Sequence, residues 1–183
     1  MGQLYSYRGA SPQVAPSVLM ADSAELVGNV VVGENTLIAG GVRITGDSTG
    51  AIRIGARVTI LENTVLRPLP DCGLIIEDDV VIGPGAVLQG CHVGSGTVVE
   101  AGAVLDGRCR IGAESLVGTG ACVKQRSVFP ARSVIDGSPA ELVGKLRGPL
   151  RRPEWAPESG DLAACRTQVA HGYAAQETDP GQR

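Results

Sequence analysis

The chain has 183 residues, enough for one domain, with 26 glycines, 3% aromatic residues and a formal net charge of −3. Such a balance gives no electrostatic footprint for nucleic acid, and no apolar run is long enough to cross a bilayer or to form the core of an export signal. Five cysteines, an odd number without zinc-like pairs, fit a reducing compartment, so a cytoplasmic protein with no membrane partner is expected.

Residues 1–16 read as an extended lead-in in which Pro12 and Pro16 prevent a helix. From Val14 an apolar residue returns at every sixth position, through Met20, Leu26, Val32, Ile38 and Ile44. The count breaks at Gly46-Asp47-Ser48-Thr49-Gly50 and resumes at Ile54, Ile60 and Leu66. It breaks again at Pro68-Leu69-Pro70-Asp71-Cys72-Gly73 and restarts at Ile76, Ile82 and Leu88. The hexad after Leu88 is one residue short. From there the repeat is unbroken through Val93, Val99, Leu105, Ile111, Val117, Val123, Phe129 and Ile135.

A period of six is neither that of a helix nor that of a flat strand. Four residues after each apolar position stands a small one: Thr97, Ala103, Cys109, Ser115, Ala121, Ser127 and Ser133. Both registers fit a parallel β-helix, in which three hexads make one coil, the apolar residue fills the prism and the small one sits at a corner. Glycine after the apolar position, as in Val93-Gly94 and Ile111-Gly112, is expected to supply unusual backbone angles. Residues eighteen apart stack, which places Cys91 over Cys109 as buried thiols. Departures from the repeat become loops, and the face carrying them is the first place to seek binding.

The β-helix is assigned to residues 17–138 and a helical segment to 139–176, with a loose tail over 177–183. Within that segment a short helix is expected over 141–146 and a longer one over 159–176. Ser159 serves the longer helix as N-cap, and Leu162, Cys165, Val169 and Tyr173 form one apolar stripe. The basic run from Arg147 to Arg152 reads as a solvated linker.

Several blocks together resemble the gamma-class carbonic anhydrase family: Ile52-Arg53-Ile54-Gly55, the segment Ile60 to Leu66, Ile82-Gly83-Pro84-Gly85-Ala86-Val87-Leu88-Gln89-Gly90-Cys91 and the Gly137-Ser138-Pro139-Ala140 exit. The resemblance implies a left-handed parallel β-helix with a C-terminal α-helix. It also implies a homotrimer whose interfaces each hold a divalent metal on three histidines drawn from two subunits. Here those positions carry Arg67, Pro84 and Gln89, and the supporting positions carry Thr45, Leu61 and Glu62; only Asp47 keeps the family residue. Arginine has no lone pair to give, proline no ligand atom, and glutamine only a neutral oxygen. No zinc, no other cofactor and no carbon dioxide hydration are therefore expected.

The residues that would line the emptied cleft are Thr45, Asp47, Leu61, Glu62, Arg67, Pro84 and Gln89. Arg67 there would clamp a small anionic ligand or pair with Glu62 or Asp47 to hold the trimer. The hexapeptide coil also resembles acyltransferases that take acyl-CoA and use a cleft histidine as general base. His92, expected at a coil corner, is the candidate base. Candidate catalytic groups are thus Asp47, Glu62, Arg67, Gln89 and His92.

Overall fold

The computed structural model describes residues 2–47 and 50–157. They form a left-handed parallel β-helix of about seven turns built from three sheets. The first sheet holds Gln3–Tyr5, Glu25–Val27, Arg43–Thr45, Val65–Arg67, Val87–Gln89, Val104–Leu105 and Cys122–Val123. The second runs from Gln13–Val14 to Val128–Phe129 and the third from Leu19–Met20 to Ser133–Gly137. A first corner joins the first sheet to the second, a second corner the second to the third, and a third corner closes each coil.

The hexad residues point inward and stack in register. Val93 pairs Ile111, Ile111 pairs Phe129, and Leu66 pairs Ile44 and Leu88. Leu26, Ile38, Ile60, Leu66, Ile82, Leu88 and Leu105 are fully buried in one continuous core. Their burial supplies the driving force that very short strands could not provide alone. Small polar corner residues are buried too, and their hydroxyls bond turn carbonyls: Thr64 to Leu61 O at 2.8 Å and Ser133 to Pro130 O at 2.7 Å. A larger side chain at these corners would have neither the space nor the partner.

All irregularity in coil length lies at the first corner. The other two corners always separate hexad residues by six, as in Ile54 to Ile60 and Ile60 to Leu66. At the first corner the step is ten from Leu4 to Val14, Ile44 to Ile54 and Leu66 to Ile76, and five from Leu88 to Val93. Coils are therefore twenty-two residues where a loop is inserted, as in Ile54 against Ile76, and eighteen where none is, as in Val93 against Ile111.

Four expectations are corrected. Residues 1–16 are not a lead-in but the first coil's own sides, since Gln3–Tyr5 pairs Glu25–Val27 and Gln13–Val14 pairs Val30–Val32. The four extra residues between Leu4 and Val14 hide that rung from a count of six. Residues 141–146 form no helix: Ala140–Lys145 is a strand antiparallel to Ser133–Gly137, with a bulge between Val134 and Ile135. The last coil leaves a strand edge unpaired, and this hairpin covers it. Gly94 and Gly112 do not have positive φ; the left-handed turn position falls two residues later, at Gly96 (φ 65°) and Glu114 (φ 53°). Finally, the basic run is only partly solvated, because Arg152 donates to Thr59 Oγ1 and to Pro157 O. The helix expected over 159–176 lies outside the described residues.

Among the described residues no helix is long and apolar enough to cross a membrane.

Candidate functional site

Apart from His92, the predicted site residues fall into two groups at opposite ends of the strands of the first sheet. Each first-sheet strand runs from the third corner to the first. Its starting end carries Leu61 and Glu62 on one coil and Pro84 on the next, with the Gly85 N–H donating to Glu62 O at 2.8 Å. Its finishing end carries Arg67 in register with Gln89, and Thr45 closes the strand one coil earlier. A turn at Glu62 and Asn63 and then the whole strand Val65–Arg67, roughly 10 Å of extended chain, separate Glu62 from Arg67. One chain therefore does not bring Glu62, Leu61 or Pro84 beside Arg67, Gln89 and Asp47.

At the first corner, Arg67 is exposed and Gln89 half-buried. The Arg67 guanidinium makes no ion pair among the described residues, whereas the expected local acid is already engaged: Asp47 Oδ1 accepts the Gly50 N–H at 2.7 Å. The Leu69 to Cys72 turn is closed by reciprocal backbone bonds of 2.8 and 3.0 Å. It leans Leu69 over the next coil, and a Cβ on Gly90 would meet Leu69 Cβ at 3.1 Å. Arg108 reaches back to Pro70 O at 3.5 Å. The inserted loops thus wall the Arg67–Gln89 edge on one side.

At the third corner, four coils contribute to an open cleft of about 290 Å³. Among the described residues it is lined by Leu61, Glu62, Pro84, Glu100, Ala101 and Thr119. Trp155 reaches it from the segment after the β-helix, which is anchored on the third sheet where Ala156 packs on Val81 and Val98. Glu100 Oε2 accepts both the Thr119 N–H at 3.0 Å and its hydroxyl at 2.9 Å. Glu100, Ala101, Thr119 and Trp155 are not among the residues predicted from sequence. The first three were legible, because register puts residue 101 seventeen after Pro84 and residue 119 eighteen later still. Trp155 follows a linker whose path no repeat specifies.

His92 is not at a corner. It lies in the strand His92–Val93 on the outer face of the second sheet, between Ile75 and Arg110. Its Nε2 meets Glu77 Oε1 at 2.7 Å, and Glu77 Oε2 accepts from Ser95 N at 2.9 Å and Ser95 Oγ at 2.7 Å. The bonds from Ser95 and then from His92 hold the Glu77 carboxyl below its usual range. The carboxylate orients the imidazole, and the serine orients the carboxylate. Serine does not contact histidine, so this is no nucleophilic triad.

Cys91 and Cys109 stack as expected, both buried and both free thiols, with His92 N donating to Cys109 O at 3.0 Å. The Cys109 thiol and burial push the Cys91 thiol well up. Cys72 and Cys122 are also free, and only half-buried.

The residues at the positions where the resemblance implies metal ligands do not fit a metal ion. Arg67 is a permanent cation, Pro84 offers no ligand atom, and Gln89 is a weak neutral donor. Among the described residues no three His, Cys, Asp or Glu side chains converge as a metal site within one chain.

Three parallel sheets and a six-residue core repeat define a hexapeptide-repeat solenoid protein. The model of the family described as "Bacterial transferase hexapeptide (six repeats)" matches residues 73–107. The chain is 30% identical to the carnitine operon protein CaiE of Proteus sp. over 76% of its own length and 71% of that protein's. It is 37% identical to a carbonic anhydrase of Geobacillus kaustophilus over 60% of its own length, and spans 59% of that enzyme. A solved Bacillus cereus structure, provisionally described as an acetyltransferase, superimposes with a TM-score of 0.69 at 29% identity, covering 93% of this chain and 94% of that one. The chain belongs to the hexapeptide-repeat, gamma-carbonic-anhydrase-like family.

Proposed function

We propose that this chain acts as a homotrimer whose interfacial clefts bind a small anionic ligand, without a metal ion and without hydrating carbon dioxide. In this arrangement the third corner of one protomer meets the Arg67–Gln89 edge of the next. The observation that carries the reading is the exposed Arg67 guanidinium beside Gln89, which makes no ion pair among the described residues, with its expected partner Glu62 beyond the other end of the strand on the same chain. A planar five-donor fork with no carboxylate against it among the described residues suits a ligand carboxylate or phosphate. The alternative use of the same group is a pair with a neighbour's Glu62 that holds the trimer together.

Light scattering and calorimetric titration with inorganic phosphate separate these uses. Arg67→Ala is expected to keep a trimeric mass and lose phosphate binding. A variant that falls apart into monomers assigns Arg67 to assembly, and a monomeric parent protein overturns the interfacial cleft altogether.

A second reading, acyl transfer from acyl-CoA, is favoured by one specific observation. Glu77 fixes the His92 ring at 2.7 Å, the orientation a general base requires. Any acetyl-CoA consumption with an amine or alcohol acceptor should vanish in His92→Ala. Transfer that survives the substitution removes His92 from the chemistry.

A further inference from the structure

The three faces of the prism differ in what meets them. The first sheet ends at the two corners that the proposed trimer brings together. The third sheet's outer face is covered where Ala156 packs on Val81 and Val98 and Arg152 bonds Thr59. The second sheet's outer face has no such cover among the described residues. Its outward ladder, in register from coil to coil, is Gln13, Val31, Arg53, Ile75, His92, Arg110 and Val128. No acid stands in that ladder, although the chain's formal net charge is −3. Arg53 and Arg110 are exposed and make no ion pair among the described residues. Ile75 follows Arg53 and Val128 follows Arg110, and these two apolar side chains are 42% and 69% exposed. Glu77 reaches His92 from the second corner, but its carboxylate is taken by His92 and Ser95. A rigid row of cations with apolar side chains beside them suits an anionic partner that carries apolar groups between its charges.

We infer that this face docks an acidic, extended peptide segment of a partner protein, laid along the solenoid axis across the strands. The spacing of the charges selects that partner. Neighbouring strands lie about 4.8 Å apart, so Arg53 and Arg110, three rungs from each other, stand roughly 14 Å apart. An extended peptide rises about 3.4 Å per residue and turns alternate side chains to one face, so its residues i and i+4 face the sheet about 14 Å apart. Acids at those two positions meet the two guanidinium groups. An apolar residue at i+2 meets the step from Ile75 to His92, and one at i+6 meets Val128. A helix fits worse, because its i and i+4 side chains are only about 6 Å apart. The face holds none of the residues assigned to the interfacial anion cleft, so the inference does not rest on that reading.

Binding of the full-length protein to a rhodamine-labelled Glu-Ser-Val-Ser-Glu-Ser-Val peptide would be followed by fluorescence anisotropy at low salt. An isomer of the same composition with its two glutamates adjacent is the comparison, since adjacent residues turn to opposite faces of an extended chain. The spaced peptide should bind saturably, with a Kd below about 1 mM, and at least about fivefold tighter than the isomer. Arg53→Ala and Arg110→Ala should each weaken it several-fold and erase the preference between the isomers. Both side chains are exposed, so circular dichroism should keep the β-helix signature in either variant. Arg67→Ala should leave peptide binding intact. Equal affinity for the two isomers overturns the proposal, as does a loss in Arg67→Ala equal to that in Arg110→Ala, or the absence of a saturable response up to roughly 1 mM. Sedimentation with phosphatidylserine vesicles that depends on Arg53 and Arg110, while the isomers bind alike, assigns the face to a lipid surface and overturns the peptide reading.

Discussion

Gly94→Ala tests the packing logic of the coil where two effects oppose each other. At a position with ordinary φ, exchanging glycine for alanine stabilises by about 0.4–1 kcal/mol, because the unfolded chain loses freedom. Gly94 has no positive φ, so backbone strain does not enter. A Cβ built there would stand 2.5 Å from Ala113 N and 2.9 Å from both Ala113 Cα and Gly112 C. Those atoms are backbone of the next coil, locked by the Gly94 N–H bond to Ile111 O at 2.9 Å, and cannot rotate away. Overpacking of this kind costs about 1–3 kcal/mol. The net expectation is a loss of about 1–2 kcal/mol, or roughly 2–8 °C in Tm for a chain of this size. Gly148→Ala is the control, since a Cβ there meets nothing within 4 Å; it should be neutral or slightly stabilising. Thermal melts followed by circular dichroism, with phosphate absent, compare the two. If Gly94→Ala melts at or above the parent temperature, the coils are not in the hard backbone contact described, and the reason for glycine after the Val93 rung is wrong.

Three further outcomes are expected. Glu77 has a folded-state pKa below its ordinary 4.5, so its contribution is present above the unfolded value and is lost as pH falls through the folded one. In Glu77→Gln, acid unfolding below about pH 4.5 should therefore be less steep than in the parent, and a parallel pair of acid titrations would show that the Ser95 and His92 bonds give no linkage. Among the described cysteines, a thiol-alkylating probe read by mass spectrometry should label the half-buried Cys72 and Cys122 well before Cys91 and Cys109; early labelling of Cys91 would contradict its burial against Cys109. Leu88→Ala removes a fully buried rung between Leu66 and Leu105 and should cost about 2–5 kcal/mol in denaturant unfolding; a loss under about 1 kcal/mol would mean that the coil closes over the gap.

The hexad made most of the fold legible because a solenoid repeats its constraints: every buried rung from Val14 to Ile135 had to satisfy the same space. Legibility failed where a residue answers to something other than its own coil. Leu4 sits ten before Val14, and nothing local distinguishes that from a leader. Residues 140–145 include good helix formers, but they pair with Ser133–Gly137 because the terminal strand edge needs a partner. Gly94 was correctly expected to be glycine for the wrong reason, since the excluded volume comes from a residue nineteen positions later. Among the site residues, which came from the resemblance alone, the structure sets Arg67 in register with Gln89, but a linear motif does not show that Glu62 and Pro84 lie at the far end of the same strands. Trp155 required the path of the closing segment, which is set by Ala156 on Val81 and Val98 and by Arg152 on Thr59.

The confinement of length changes to one corner connects the fold to the site. A coil stays in register only if each strand returns beneath its predecessor, and an odd residue inside a strand would turn its core side chain outward. An insertion between two strands carries no such penalty, provided the chain re-enters at the same point. The Tyr7 to Ala10 and Leu69 to Cys72 bridges do this by folding the extra residues back on themselves. Because the second and third corners keep six-residue steps, the cleft at the third corner has walls fixed by the repeat: Glu62, Pro84, Ala101 and Thr119 occur once per coil and cannot slide. The Arg67–Gln89 edge adjoins the corner where loop length is free. The third-corner cleft is thus the part of the molecule that the repeat holds constant, and the Arg67–Gln89 edge is the part that loop changes can reshape without disturbing the core.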